Sequence, residues 1–254
     1  MIDFIKRVFS KKNKDIIEFS CKDWAIRKYA PVELGENKLP EEYINLPVGK
    51  ICPFERKNLS YQLTARQCPS LNAFLKYGYV ISAWCDIEIS FEGDQVYIKY
   101  SNLDYSHDVH TENQYQQILG DQFDVRIVIK INNPWHIKTL DGYSCFWLPI
   151  YYTNKNYQAL PAIVDTDMTL NDLPINLAFF EKKYTLIKMG EPLVRIIPFR
   201  REIVTATSRK YDSCDENRFL NILGLNGLSR YNWRGYITAK NKFRLNKRDL
   251  DIES

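Results

Sequence analysis

Hydrophobic and polar positions along this chain alternate more often than they cycle. Residues 79–91 read YVISAWCDIEISF, with Asp86, Glu88 and Ser90 set against Ile87, Ile89 and Phe91. That two-residue period predicts a strand. The EGDQ stretch at 92–95 reads as a turn, and 96–100 returns as the second strand of a hairpin. Further strands are predicted over 123–131, 135–139, 144–150, 162–165, 175–180, 184–187 and 193–199. Turns separate them at Asp141-Gly142, 153–156, 171–174 and Met189-Gly190. Short strands at that spacing predict a mainly β sandwich or barrel with short peripheral helices and extended termini.

Helical periodicity is confined to short pieces. Residues 3–9 (DFIKRVF) suit one or two turns. Residues 39–46 place Pro40 early with two acids in the first turn, a helix-start pattern. In 68–79, Ser70 is placed to cap, Leu71, Phe74 and Leu75 share one face, and Gly78 is a stop. The remainder of 15–60 reads as irregular, because Pro31, Pro40, Pro47 and Pro53 break any long helix. The polar stretch 101–122 lacks a period and reads as a long loop. Residues 215–223 suit a helix ending near Gly224 or Gly227. The organisation expected is an irregular N-terminal region (1–78) packed on a β-sandwich core (79–200), followed by a C-terminal helix and basic arm (201–254).

Composition narrows the class. The 254 residues are 45% hydrophobic, enough for a real core, and 10 Gly with 11 Pro exclude a collagen-like or disordered chain. Aromatic content of 14%, with 17 Tyr and 13 Phe, suits strands. Net charge is +4, modest for a dedicated nucleic-acid binder. The basic excess crowds the ends: Lys6, Arg7, Lys11, Lys12 and Lys14 at the start, Arg234 to Arg248 at the finish. Solvated termini explain this most simply, and docking on an acidic or phosphate-bearing partner is the alternative. No apolar run approaches the length of a membrane span, and the start lacks a signal-peptide pattern, so a cytoplasm-like compartment is expected. None of the six cysteines forms a CxxC pair, and reduced, mostly buried thiols are expected.

Candidate chemistry is sparse. His107, Asp108 and His110 stand close in the polar stretch, and a metal reading adds His136 to His107 and Asp108. Solvated or structural histidines are the simpler account. No GxSxG, GxxxxGK[ST] or GxGxxG motif occurs. Tyr231, Trp233, Arg234, Lys240 and Lys242 combine rings and cations that suit stacked bases and phosphates. They equally suit wrapping the chain's own core or a neighbouring subunit, which is the preferred reading.

Residues 162–199 resemble the latter half of a β-clip fold, as in dUTPases and dCTP deaminases. Ile163-Val164-Asp165-Thr166-Asp167 matches that family's V-I-D-x-D segment, Met189-Gly190-Glu191-Pro192-Leu193-Val194-Arg195 loosely matches its G-D-x-I-x-Q turn, and Leu140-Asp141-Gly142-Tyr143 resembles its P-x-G-Y turn. The resemblance implies that Asp165 aligns with the water-orienting aspartate. The stacking tyrosine position falls on Met168 and the glutamine on Arg195. Tyr151-Tyr152-Thr153-Asn154 stands where an R-S-G-L phosphate motif would follow the central strand. The resemblance thus implies inherited topology with the reactive groups lost.

A second resemblance spans roughly 24–200. Pro40 to Tyr43, Cys68 to Ile81, N-P-W-x-I-K-T at 133–139, G-Y-S-C at 142–145, V-D-T-D at 164–167 and I-P-F-R-R-E at 197–202 are similar to a family of uncharacterised tailed-bacteriophage proteins. It implies a phage origin. The expectation is a non-enzymatic virion structural or assembly protein, without cofactor, residing in the virion or host cytoplasm. Its expected partners are copies of itself or other phage proteins. The alternative is a nucleotide-binding or nucleotide-hydrolysing β-clip protein centred on Asp165 and Asp167.

Overall fold

A computed structural model describes residues 16–47, 64–93, 95–101, 107–110, 114–115, 119, 125–169 and 173–211. Among them are fourteen strands: β1 Ile17–Ser20, β2 Glu33–Leu34, β3 Tyr79–Ser82, β4 Ile87–Glu92, β5 Gln95–Tyr100, β6 His107–His110, β7 Ile127–Ile131, β8 His136–Thr139, β9 Tyr143–Pro149, β10 Tyr157–Ala159, β11 Ala162–Val164, β12 Ile175–Phe179, β13 Thr185–Ile187 and β14 Pro192–Arg200. Three short helices accompany them: α1 Trp24–Tyr29, α2 Glu41–Ile44 and α3 Pro69–Lys76. The protein is mainly β. All sheets are antiparallel, and among the described residues none closes into a barrel.

The chain divides into two compact units, 1–47 with 71–202 and 48–70 with 203–254. The first holds the sheets, in the orders β11-β9-β14-β3-β2, β10-β12-β7-β6, β13-β4-β5 and β1-β8. Of the second, the described residues include a 3-10 turn at Ala65–Gln67, the start of α3 and the exposed stretch 203–211, which has no regular secondary structure.

Alternation in the sequence becomes burial in the fold. Ile87 and Ile89 of β4, Ile129 and Ile131 of β7, Leu177 and Phe179 of β12, and Val194 and Ile196 of β14 meet in one cluster fed by three sheets. That is the packing of a sandwich, with the inward faces of facing sheets forming the core. Phe179 sits edge-on to Phe91 at 6.0 Å and lies 5.6 Å from Tyr157. Such ring pairs add specificity to the burial of apolar area.

The 79–91 run is two strands rather than one. β3 belongs to the five-stranded sheet and β4 to the three-stranded sheet. Between them the 188–191 turn captures the backbone: Ala83 N–H donates to Glu191 O (2.8 Å), Gly190 N–H to Ala83 O (2.8 Å), and Met189 N–H to the Asp86 carboxylate (2.7 Å). The stretch 101–122 is also corrected, since β6 falls inside it. Its HDVH sequence has one apolar residue, too little for a period, and it becomes a strand by pairing with β7 at Ile131, Lys130, Ile129 and Val128. Helix α1 lies in the region expected to be irregular. Asp23 caps it, accepting from Ala25 N (2.7 Å) and Ile26 N (3.4 Å). The 92–95 hairpin and the 39–46 helix are where the pattern placed them. The expected helices at 3–9 and 215–223 lie outside the described residues. Among the described residues no helix is long and apolar enough to cross a membrane.

β14 is the spine of the five-stranded sheet, paired with β9 over seven positions and with β3 across a bulge between Pro192 and Val194. It carries Arg195, only 1% exposed. The guanidinium donates to Tyr77 O (2.8 Å), just past the C-terminal end of α3, and lies 6.0 Å from the Phe74 ring. A helix C-terminus presents unpaired carbonyls and partial negative charge, so a buried cation there is partly compensated. Burial pushes the guanidinium below its ordinary pKa. Gly78 makes the chain reversal after α3 possible. Its φ is +81°, and a Cβ there would stand 2.5 Å from Ile196 O. Gly78→Ala is therefore expected to destabilise the fold by at least about 1–3 kcal/mol, measurable as a lowered midpoint in urea with an unchanged slope. Arg195→Met is expected to cost about 1 kcal/mol, read from the same urea midpoint, because it removes the donor to the partly buried Tyr77 O.

Candidate functional site

The two aspartates singled out in the sequence stand on one turn. After β11 the chain folds back on itself: Met168 N–H and Thr169 N–H both donate to Asp165 O (3.1 Å each), and Thr169 Oγ1 donates to the same oxygen (2.6 Å). This turn sends Thr166 inward, with Asp165 more exposed on one side and Asp167 enclosed on the other. Thr166 is buried, with Oγ1 2.8 Å from Thr139 Oγ1 and 3.4 Å from Cys145 Sγ. The Thr139 hydroxyl also lies 3.2 Å from Tyr143 O. Thr166 thus plugs the turn onto β8 and β9.

The flanking carboxylates meet an arginine that the sequence reading did not single out. Arg201 follows β14, and its own N–H donates to Gly142 O (2.8 Å). Its Nη1 lies among four oxygens: Tyr143 O (3.1 Å), Ser144 Oγ (2.8 Å), Asp165 Oδ1 (3.1 Å) and Asp167 Oδ1 (2.9 Å). Nη2 donates to Asp167 Oδ2. The Asp167 pair is therefore a two-point guanidinium–carboxylate contact, the geometry that best suits both planar groups. Gly142 N–H donates to Asp167 Oδ2 as well (2.8 Å), and Ser144 Oγ donates to Asp165 Oδ1 (2.6 Å).

Electrostatics follow the geometry. The Arg201 guanidinium, and after it the Gly142 amide, hold the Asp167 carboxyl below the usual carboxylate range. Asp167 in turn raises the pKa of Arg201. The Asp167 side chain is 4% exposed, whereas that of Asp165 is 55% exposed. Ser144 is fully buried, so its hydroxyl has no approach for a substrate. The Cys145 thiol beside it is pushed up by burial and stays protonated at neutral pH. What these groups accomplish together is closure: the 140–142 turn, the 165–169 turn and the end of β14 are pinned at one point. The missed signal was the Arg200-Arg201-Glu202 run, whose charge stands immediately after an apolar strand.

The other candidates are scattered. His107 and Asp108 are positions of β6, and His136 is on β8 in another sheet. The Asp108 carboxylate accepts from Val109 N–H (2.8 Å). His110 is held between Gln114 Oε1 (2.8 Å) and Asn176 Oδ1 (3.2 Å). Among the described residues no three His, Cys, Asp or Glu side chains gather as metal ligands. Met168, at the family's stacking position, is exposed. Tyr231, Trp233, Arg234, Lys240 and Lys242 lie outside the described residues. Of the cysteines, Cys21, Cys68, Cys85 and Cys145 are free thiols, and burial pushes Cys85 up to about 11.

A second polar hub stands at the 188–191 turn. Glu191 accepts from the Tyr157 hydroxyl and pairs with Lys155 Nζ (2.8 Å). Burial first, and Glu191 second, drive the Tyr157 pKa upward. The adjoining cavity of about 470 Å³ is also lined by Lys38 and Lys188. Lys38 is engaged by Glu33 (2.9 Å).

Because the Asp167 pKa is depressed in the folded protein, its contribution is present above the unfolded carboxylate pKa and is lost as pH falls through the folded value. Asp167→Asn is expected to lower Tm by several degrees near neutral pH. The gap to the parent chain should shrink as pH drops below about 4. A gap of constant size across a calorimetric pH series would contradict the ion-pair assignment. Compared with known protein families and with curated protein sequences, the chain matches none.

Proposed function

We propose that this chain is a non-enzymatic protein of a tailed bacteriophage, a structural or assembly component of the virion that works through contacts with copies of itself or with other phage proteins. The observation that carries this reading is the engagement of Arg201 with both Asp165 and Asp167. An acid that is to orient water or hold Mg²⁺ next to a phosphate needs a free lone pair and an open approach. Asp167 has no open approach, since its side chain is 4% exposed and both of its oxygens are engaged, and the adjoining serine is sealed. The phage assignment is supported by the N-P-W-x-I-K-T, G-Y-S-C and V-D-T-D segments. The contact role is supported by apolar side chains left in water, such as Ile163 on the outer strand β11 and Met168 beyond it. An exposed sheet edge of this kind is a template for pairing with another chain.

Nucleotide binding at the same place is the second reading, favoured by one feature. Asp165 keeps its Oδ2 without a hydrogen bond among the described residues and remains more than half exposed.

Three measurements separate these readings. Light scattering on the full chain should give a defined oligomer, and mass spectrometry of purified particles should find the protein. A strict monomer that is absent from particles would end the assembly reading. For the nucleotide reading, nucleoside triphosphates with Mg²⁺ should raise Tm in the parent chain and not in Asp165→Ala. No shift in the parent chain removes it.

A further inference from the structure

β5 stands apart from the other strands that end a sheet. Those have two to four residues each, whereas β5 has six. Its sequence, QVYIKY, is rich in β-branched and aromatic residues, holds no proline and runs against β4 without a bulge. Among the described residues no strand pairs with its other side. A long, regular edge is a template for another strand, and proteins ordinarily blunt it with proline, a bulge or charge. The single charge on β5, Lys99, stands opposite Glu88 of β4 and is offset by it.

The hairpin register settles which backbone groups face outward. Ser101 N–H donates to Asp86 O (3.0 Å), one step beyond the Ile87–Tyr100 pair. Hydrogen-bonded pairs recur at every second position of an antiparallel ladder. Gln95, Tyr97 and Lys99 therefore bond to β4, while Val96 and Ile98 direct N–H and C=O away from it. Among the described residues no hydrogen bond engages those outward groups. The side chains sort with the same period. Val96 and Ile98 are half-buried against the core cluster, and Gln95, Tyr97 and Lys99 are exposed on the other face. Tyr97 is 47% exposed, with its hydroxyl donating to Gln95 Oε1 (2.6 Å).

We infer that β5 pairs antiparallel with β5 of a second copy about a two-fold axis at Tyr97, joining two three-stranded sheets into one of six strands. The inference rests on the assembly reading above and names its partner and its seam. In this register Val96 and the partner's Ile98, with the reciprocal pair, exchange four backbone hydrogen bonds. Tyr97 stands against the partner's Tyr97, an aromatic cross-strand pair. Lys99 faces the partner's Gln95, and behind that residue lies the partner's Glu92, because Glu92 and Gln95 pair within each hairpin. Each lysine then has an acid on both sides, Glu88 in its own sheet and the partner's Glu92 across the seam. An axis at Ile98 would instead put Ser90 behind the residue facing each lysine, and an axis at Lys99 would set two lysines together. The charges thus select Tyr97. The two-fold seam consumes both long edges and closes, so the pairing does not propagate.

The full chain should be dimeric by light scattering at high micromolar concentration and should dissociate on dilution, as suits a small interface. Tyr97→Lys alters an exposed side chain and sets like charges together on the axis. It should leave circular dichroism unchanged and halve the measured mass. Tyr97→Cys should give a disulfide-linked dimer on mild oxidation, because opposed Cα atoms at a non-hydrogen-bonded position lie about 4.5 Å apart, within disulfide reach. Peptide mass spectrometry should place that bond between position 97 of both copies. A parent chain that stays monomeric at millimolar concentration overturns the pairing. So does an oligomer that Tyr97→Lys leaves intact, or a Tyr97→Cys chain without a 97-to-97 linkage. Each of those results leaves the assembly reading standing if the protein is found in particles, whereas absence from particles fails the assembly reading itself.

Discussion

β14 carries an arginine near its start that must find an oxygen acceptor before the five-stranded sheet can close around it, and it runs into another just past its end that ties the neighbouring turns from the surface. Arg195 is buried against the end of α3, where Tyr77 O and the Phe74 ring replace water. Arg201 reaches across to the two neighbouring turns and gathers Asp165, Asp167 and the Ser144 hydroxyl. A charge removed from water as Arg195 is would, without such partners, cost far more than the fold could tolerate. The peripheral helix at one end and the turns at the other are therefore placed by the requirements of a single strand. The close approach at Gly78 belongs to the same constraint, since the chain after α3 must come against the Ile196 carbonyl to reach β3.

Much of the architecture could be read from alternation. Ile87, Ile89 and Phe91 against Glu88 and Ser90 announce a half-buried strand whatever its neighbours do, and so does the run ending at Phe199. Three of the failures share a cause, whereas β1 (IEFS) alternates and was missed although its period is present. β6 has a single apolar residue, β2 has two residues and β10 has three. Such strands exist because a neighbour offers a ladder, and no local period can reveal a distant partner. The break after Ser82 is of the same kind. Nothing in AWCD forces a change of sheet, and the reason lies a hundred residues away, in the 188–191 turn that captures Ala83 and Asp86.

The candidate site was half legible. Asp165 and Asp167 drew notice because two acids flanking a small residue at the end of a strand are unusual. Their partner did not, because an arginine in a charged run resembles any solvated surface arginine until its position beside Gly142 is known. This difference decides the chemistry. The same D-T-D sequence is a place for an ion or a nucleotide when its carboxylates face open water, and a structural clamp when a guanidinium occupies them. The residue that engages both carboxylates stands more than thirty positions downstream.

The sheet also determines how this protein would respond to tension. β14 is flanked along its length by β9 and β3, both antiparallel to it, and the exposed segment continues directly from its end. A pull along the axis of β14 from that end acts parallel to the strand. It loads the paired residues on both sides in shear, together with the guanidinium contacts at Arg201. A hairpin such as β4–β5, pulled from its open end, would instead unzip by single residue pairs in succession.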